Sequence, residues 1–393
     1  MKRDLLILGL VGFVTSFGAH AVAVNLPVYA QQVGVGTFAI GALIAVYDFA
    51  EVIAKPLFGY LADKRGQVIT LWAGLGVFSL ASLAYLAIDP RLLLLIRLLQ
   101  GLGAAAFSVV SVALVATYFP HERGRALGIY NALKGAGYMI APVIGGWVVA
   151  RTSFAGLFLV SAAIGIIVLA LSLLLREPVD PVGLDDDEDE FKLSELLAPF
   201  RDPHLLPWYA VIVVNMFFVG ILSGFVAVYL NQLGYDPFHA GMIISAGTLA
   251  YLLVQPPAGW LADKVGGRPT ILAGLMASSL SLILLSFTQG LPLTALVVLG
   301  GLGIGVVWTN SDAMISNLSP NGQLSTSLGT AGSYKEIGDM LGPLSVGAIS
   351  QAFSLATGFI ACGVAGLAGV LLIWRRGSAQ IPGVDGRVGD LNG

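Results

Sequence analysis

Twelve apolar stretches, each long enough to cross a bilayer as a helix, follow one another along this 393-residue chain and leave room for few other architectures. A hydrocarbon core needs about 20 apolar residues in helical form. Such stretches run near 5–30, 38–61, 68–88, 92–118, 125–150, 154–175, 207–230, 238–261, 269–289, 291–317, 326–351 and 354–374. Most of the joins between them are short and carry turn or charged residues. Hydrophobic residues make up 56% of the chain and charged residues 11%, where a soluble domain carries about 25% charged residues. The 50 glycines suit helices packed closely in lipid. The predicted fold class is an all-α membrane protein. A single cysteine, Cys362, permits no internal disulfide. Met1-Lys2-Arg3-Asp4 leads straight into an apolar run too long for a signal-peptide core, so no cleavable leader is expected.

One join differs from the rest. Residues 176–206 hold ten acids, six of them in an unbroken run from Asp185 to Glu190. A run of that kind repels itself and stays solvated, as a linker between two bundles would. Phe191 to Phe200 reads as a short amphipathic segment lying on the membrane surface. The expected division is a six-helix bundle over 1–175, an acidic linker over 176–206, a second bundle over 207–375 and a tail over 376–393. Orientation follows from Lys and Arg. With the N-terminus in the cytoplasm, Lys2, Arg3, Lys64, Arg65, Arg123, Arg125, Arg176, Lys192, Arg201, Lys264, Arg268, Arg375, Arg376 and Arg387 are inside, and only Arg91 and Arg151 are outside. Both termini are therefore expected in the cytoplasm.

The chain also repeats itself. A shift of 200 residues lays Gly59-Tyr60-Leu61-Ala62-Asp63-Lys64-Arg65-Gly66 on Gly259-Trp260-Leu261-Ala262-Asp263-Lys264-Val265-Gly266. Pro56 falls on Pro256, Gly41 on Gly241, Phe38 on Phe238, and Gly101-Leu102-Gly103 on Gly301-Leu302-Gly303. After a one-residue insertion, Lys134 meets Lys335 and Pro142 meets Pro343. Two six-span halves related in this way imply a pseudo-two-fold axis along the membrane normal, a substrate site near the midplane between the halves, and alternating access by rocking of one half against the other.

These motifs resemble the major facilitator superfamily along essentially the whole chain. Gly59, Asp63, Lys64 and Gly66 match that family's G-x-x-x-D-[RK]-x-G-[RK]-[RK] loop signature after span 2, with Gln67 and Val68 in place of the basic pair. Gly259, Asp263, Lys264, Gly266 and Arg268 repeat it. Arg97-Leu98-Leu99-Gln100-Gly101-Leu102-Gly103 looks like the R-x-x-Q-G-x-G motif of span 4. Gly137, Ala141, Pro142, Gly145 and Gly146 follow the antiporter motif of span 5, with Ala141 in place of a glycine. The resemblance implies a secondary transporter in the cell (inner) membrane, of the proton-coupled drug and metabolite efflux branch. By resemblance, the loop residues Gly59, Asp63, Lys64, Arg65, Gly259, Asp263, Lys264 and Arg268, with Pro142 and Pro343, serve gating. Many proton-coupled exporters of this family carry an acid in span 1. Here span 1 offers His20 and Asn25 instead.

Ionisable groups inside spans are costly and so point to function, each with a partner to be named. Asp48, Glu51 and Lys55 share one face of span 2, and Glu51 and Lys55 form an i, i+4 pair in the favoured order. That pair can simply neutralise itself. Asp48 and Glu51, one turn apart in a low dielectric, resist holding both charges, which makes either a candidate proton carrier. Glu336 and Asp339 on span 11, and Arg97 on span 4, complete the candidate coupling set. Lys134 and Lys335 lie at equivalent mid-span places and could clamp an anionic substrate from both halves. Alternatively, each pairs with an acid, Lys335 with Asp339 at i+4 and Lys134 with Asp48 or Glu51 across helices. His20 and Asn25 join the lysines as candidate substrate contacts. Asp312, toward the inner end of span 10, is a weaker candidate.

No G-x-x-x-x-G-K-[ST] supports ATP use, no Cys/His cluster marks a metal, no basic face suggests nucleic acid, and no catalytic grouping suggests an enzyme. The expected partners are a small-molecule substrate, protons or another coupling ion, and the lipid bilayer, with no cofactor and the chain acting as a monomer. Two transport readings compete: proton-driven export of a small organic molecule, and ion-coupled uptake or exchange of an organic anion.

Overall fold

A computed structural model describes residues 2–87, 89–119, 122–178, 204–319 and 324–376. The acidic run Asp185–Glu190, the segment 191–200 and the tail beyond 376 lie outside the described residues, as does the side chain of Asp63. The N-terminal half holds α1 (Lys2–Gln32), α2 (Thr37–Arg65), α3 (Gln67–Ala84), α4 (Leu93–Tyr118), α5 (Arg123–Arg151) and α6 (Phe154–Ser172). The C-terminal half holds α7 (Leu206–Gln232), α8 (Pro237–Val265), α9 (Gly267–Leu285), α10 (Gly290–Leu318), α11 (Leu324–Ala352) and α12 (Leu355–Arg376). Ten of these are long and apolar enough to span a membrane by length and composition alone. The α11 helix carries Lys335, Glu336 and Asp339 within its length, and α12 is apolar over Leu355–Leu371.

The chain forms all-α bundles of six helices, and their boundaries fall within a few residues of the apolar stretches. Local chemistry sets several starts. The Ser153 hydroxyl accepts from Gly156 N at 3.2 Å ahead of α6, and the Asp236 carboxylate accepts from Phe238 N at 2.9 Å ahead of α8, each covering an otherwise orphan helix donor. The signature segments, expected from the sequence to be loops, are helical. The α2 helix runs through Gly59 to Arg65, and α8 through Gly259 to Val265. Only Gly66 and Gly266 break the chain before the next helix, at φ of 110° and 96°. A single-residue reversal of this kind needs the left-handed region that glycine enters freely.

The repeat is visible contact by contact. Gly101 of α4 presses on the Tyr47 carbonyl of α2, and Gly301 of α10 presses on Gly247 of α8. Gly137 of α5 meets the Phe13 carbonyl of α1, and Gly338 of α11 meets that of Val213 in α7. The small residues of spans 4, 5, 10 and 11 are thus packing surfaces where backbones touch.

The two halves meet chiefly along two seams, α2 on α11 and α5 on α8, and α1 also touches α7. An even number of spans puts both chain ends at one end of the bundle. At the opposite end the seams are shut. A methyl group added to Gly41 would collide with the Pro343 carbonyl, and one on Gly347 with that of Thr37. In the second seam Gly241 meets the carbonyl of Pro142 and Gly146 that of Pro237. Thr37 Oγ1 donates to Gln351 Oε1 at 3.1 Å, and Val143 N donates to Ser245 Oγ at 3.2 Å, both across the seams. One apolar core, from Val22 and Val28 of α1 to Val228 and Phe359, joins the halves at this end.

Toward the chain ends the halves part. Among the described residues, a methyl group added to Gly128 or Gly135 of α5, or to Gly332 of α11, would find nothing within 4 Å. A second core, with Leu71, Phe107 and Tyr130, stays wholly within the N-terminal half. Among the described residues the protein is therefore sealed at one end and open at the other, where α1 begins and α12 ends.

Candidate transport site

The charged mid-span residues gather where the seal gives way to the cleft. Lys55 of α2 pairs with Glu51 on its own helix and reaches across the seam to Glu336 Oε1 at 2.7 Å. The sequence reading of an isolated Glu51–Lys55 pair is therefore incomplete: the lysine bridges carboxylates of both halves. Asp48, 8% exposed, and Asp339 lie in the same electrostatic neighbourhood as Glu51 and Glu336. Neither has a cation within ion-pair distance among the described residues. Two carboxylates, one from each half, thus share one cross-seam lysine, and Asp48 and Asp339 stand near them without an ion pair among the described residues.

Arg97 is 2% exposed, lies 4.1 Å over the Tyr47 ring and donates through Nη1 to Gln100 Oε1 at 2.7 Å. Gln100 in turn accepts from Tyr85 and donates to Ser82 Oγ at 3.1 Å. Among the described residues the guanidinium makes no carboxylate pair, and its Nε has no hydrogen-bond partner. Asp48 lies within its electrostatic reach.

The two lysines expected to form a clamp are not equivalent. Lys335 donates to Asp312 Oδ2 at 2.7 Å and lies 4.5 Å over the Trp308 ring. Its partner is Asp312, not the i+4 residue Asp339, because a neighbouring helix brings Asp312 closer than its own helix brings Asp339. Among the described residues Lys134 has no carboxylate within ion-pair distance, although Glu51, Lys55 and Glu336 are in electrostatic reach. A symmetric clamp with two uncommitted cations is thus not present.

His20 and Asn25, the polar residues of span 1, have different surroundings. His20 Nδ1 bonds the Ser16 carbonyl at 2.8 Å and its ring meets that of Tyr138 at 3.9 Å between centroids. Asn25 lies elsewhere: it is 3% exposed, donates to Ala21 O at 2.8 Å and packs against Gly145. Its amide serves the α1–α5 contact, which corrects its expected place among substrate contacts.

The gating set divides by position. Pro142 and Pro343 supply the carbonyls that seat on Gly241 and Gly41 in the seal. Lys64 and Lys264 lie over Tyr60 and Trp260 at 6.0 and 3.7 Å. Arg65 and Asp263 are exposed at the open end. Arg268 Nη2 donates to the Trp374 carbonyl at 2.8 Å, tying the start of α9 to α12. In the first half, where Gln67 and Val68 replace the basic pair, the Glu177 carboxylate instead accepts from the amides of both, with Val68 N at 2.9 Å. Gly59 and Gly259 do not enable a close approach here: among the described residues, added methyl groups would meet Val109 at 3.9 Å and Thr309 at 3.7 Å and nothing nearer.

The sequence reading passed over the aromatic residues of the cleft. Tyr138 faces Tyr251 across the α5–α8 seam at 6.0 Å, and Tyr251 meets Trp308 at 5.6 Å. The signal for them lay in the repeat, which lays Tyr138 on Asp339 and Tyr251 on Glu51.

Comparison with known proteins follows the same lines. The sequence profile described as Major Facilitator Superfamily matches residues 8–246 and 209–387. The multidrug resistance protein MdtG of Salmonella typhimurium (strain LT2) is 28% identical over 380 residues, 93% of each chain. Among solved structures, the nucleoside transporter NupG superposes with a TM-score of 0.78 at 14% identity, covering 95% of this chain and 99% of that one. A D-xylose–proton symporter superposes with a TM-score of 0.76 at 14% identity, covering 95% and 97%. At such identities the structures speak for the fold alone.

Proposed function

Since the chain belongs to the Major Facilitator Superfamily, and is a multi-pass membrane transporter of a small molecule, we propose that it exports a small organic solute in exchange for protons. The observation that carries this reading is the bridge from Glu51 through Lys55 to Glu336. It ties carboxylates of both halves to one cation at the inner margin of the seal. Rocking that parts the seam must separate Lys55 from Glu336, so the two states bind protons unequally. Unequal affinity is what coupling requires, because a ligand bound equally in both states shifts nothing.

The Lys and Arg distribution supports an orientation with both termini in the cytoplasm of a cell whose inner membrane holds the protein. The open end then faces the cytoplasm, and the described conformation is inward-open. The direction of export is supported by the name of the MdtG relatives and by the antiporter-like spacing Gly137, Pro142, Gly145, Gly146. Proteoliposomes under an imposed pH gradient test the proposal. Candidate solutes should move uphill with protons moving the other way; flux indifferent to the gradient for every solute would overturn it.

A second reading, ion-coupled uptake or exchange of an organic anion, draws on Lys134, the mid-span lysine with no carboxylate partner among the described residues. In the uptake form of this reading, substrate and coupling ion travel in the same direction in the same assay.

A further inference from the structure

Away from the acids, a row of rings crosses from one half to the other. His20 meets Tyr138, Tyr138 faces Tyr251 at 6.0 Å, and Tyr251 meets Trp308 at 5.6 Å with planes 68° apart. The row lies just inside the closed contact of Pro142 with Gly241 and of Val143 with Ser245, and so roofs the open cleft. Lys134 stands one turn from Tyr138 on the same face of α5, toward the open end. Beside it, Gly135 borders empty space. Lys55 is held by Glu51 and Glu336, and Lys335 by Asp312; Lys134 alone of the three has no carboxylate at ion-pair distance among the described residues.

We propose that this roof and Lys134 form the recognition site, and that it takes a planar aromatic carboxylate, with the ring against Tyr138, Tyr251 and Trp308 and the carboxylate on the Lys134 ammonium. The proposal rests on reading the cleft as the transport path. Ring-on-ring contact adds to the burial of the ligand's apolar area. A half-buried ammonium with no carboxylate partner among the described residues gains a charge-assisted hydrogen bond when an anion arrives. Glu51 and Glu336 lie in reach of Lys134 and oppose an incoming anion, but they share the charge of Lys55, which limits the opposition. A cationic aromatic placed on the same roof would set its charge beside Lys134. Its alternative seat is Asp312, whose Oδ1 is buried without a partner, and the test separates the two.

Equilibrium dialysis of the full chain in detergent, with naphthoate, naphthamide and naphthylmethylammonium as probes, reads this directly. Naphthoate should bind about tenfold tighter than the other two, the scale of one hydrogen bond to a charged group. Lys134→Gln should bring naphthoate down to the level of naphthamide, and Lys134→Arg should keep the preference. Trp308→Leu should weaken naphthoate and naphthamide by the same factor. The proposal is overturned if naphthylmethylammonium binds the wild-type protein as tightly as naphthoate, if no naphthyl probe binds, or if Lys134→Gln leaves naphthoate unchanged. The probe order in the wild-type protein needs no variant to fold. Dialysis needs no gradient, so failure of proton coupling in proteoliposomes would leave these results standing, and the reverse holds too.

Discussion

The α2–α11 seam and the α5–α8 seam are closed by the same device and diverge just inside it. Each places a proline carbonyl on a glycine, Pro343 on Gly41 and Pro142 on Gly241, and each adds a second glycine, Gly347 and Gly146, against a helix-start carbonyl. Further in, the first seam sets Asp339 near Glu51 and joins Lys55 to Glu336. The repeat-equivalent positions of the second hold Tyr138, Tyr251, Gln255 and Gly135. One seam is ionic and the other aromatic on a shared backbone frame. Backbone contacts common to both halves fix how they can rock, while a handful of side chains is left free to differ. On the proposed function a division of labour is expected, with protons handled on the α2–α11 side and the solute on the α5–α8 side, and Lys134 within electrostatic reach of the first and one turn from Tyr138 of the second.

The largest effect should come from removing the cross-seam cation. Lys55→Met strands Glu51 and Glu336 close together, and breaking a buried pair costs about 3–5 kcal/mol. With Lys55 29% and Glu336 25% exposed, solvent screening lowers that to about 2 kcal/mol. Thermal unfolding in detergent should show a clear loss of stability, and gradient-driven transport should vanish. Adding Glu336→Gln should recover part of the stability, because it ends the repulsion between the two stranded carboxylates and leaves only Glu51 without its cation. A Lys55→Met protein as stable as wild type would mean that the bridge carries no weight.

Next come the acids themselves. Asp48→Asn or Glu51→Gln should abolish uphill transport while downhill exchange and probe binding remain measurable. If both variants still drive uphill flux at wild-type rates, the proton path lies with Glu336 and Asp339 across the seam. The aromatic side should behave in the opposite way. Tyr251→Leu should raise the substrate KM by about tenfold, the scale of one lost ring contact with its buried area, and leave protons moved per solute unchanged. A changed proton ratio would end the division between the seams.

How far the sequence led depends on what each feature is made of. Span length and apolarity are local properties, so twelve helices were legible from the chain alone. The repeat was legible because Gly59–Gly66 and Gly259–Gly266 match directly, and it foretold the paired packing of Gly101 with Gly301. Partnerships between helices were not. Lys335 chose Asp312 over Asp339, and Lys55 found a carboxylate 281 residues away. Both outcomes depend on how helices face one another, which no i, i+4 count contains. The phase of α1 likewise turned Asn25 into a neighbour of Gly145, and the ring row was hidden because Tyr and Trp in an apolar span read as ordinary bulk. The signature segments read as loops because charge and glycine usually end a helix, whereas here the helix carries its charges past the last apolar turn to Arg65 and Val265.

The smallest effect concerns the open ends, where the seams are alike again. Gly59 and Gly259 have room for a methyl group, with the nearest atoms at 3.9 and 3.7 Å, ordinary contact distances. Alanine is a better helix former than glycine by up to about 1 kcal/mol. Gly59→Ala and Gly259→Ala should therefore leave thermal stability unchanged or slightly raised, which is unusual for glycines in a motif that occurs twice. If the open ends close in the opposite state as the sealed ends close in this one, with glycine seated on a facing backbone, each added methyl would obstruct that closure. Transport should then fall a few-fold, with probe binding from the open side intact. The two variants should lose turnover by similar factors, because the two seams share this device. Unequal losses would mean that the inner seal, unlike the outer one, depends on one seam more than the other. Unchanged turnover in both would mean that the inner ends close without these glycines.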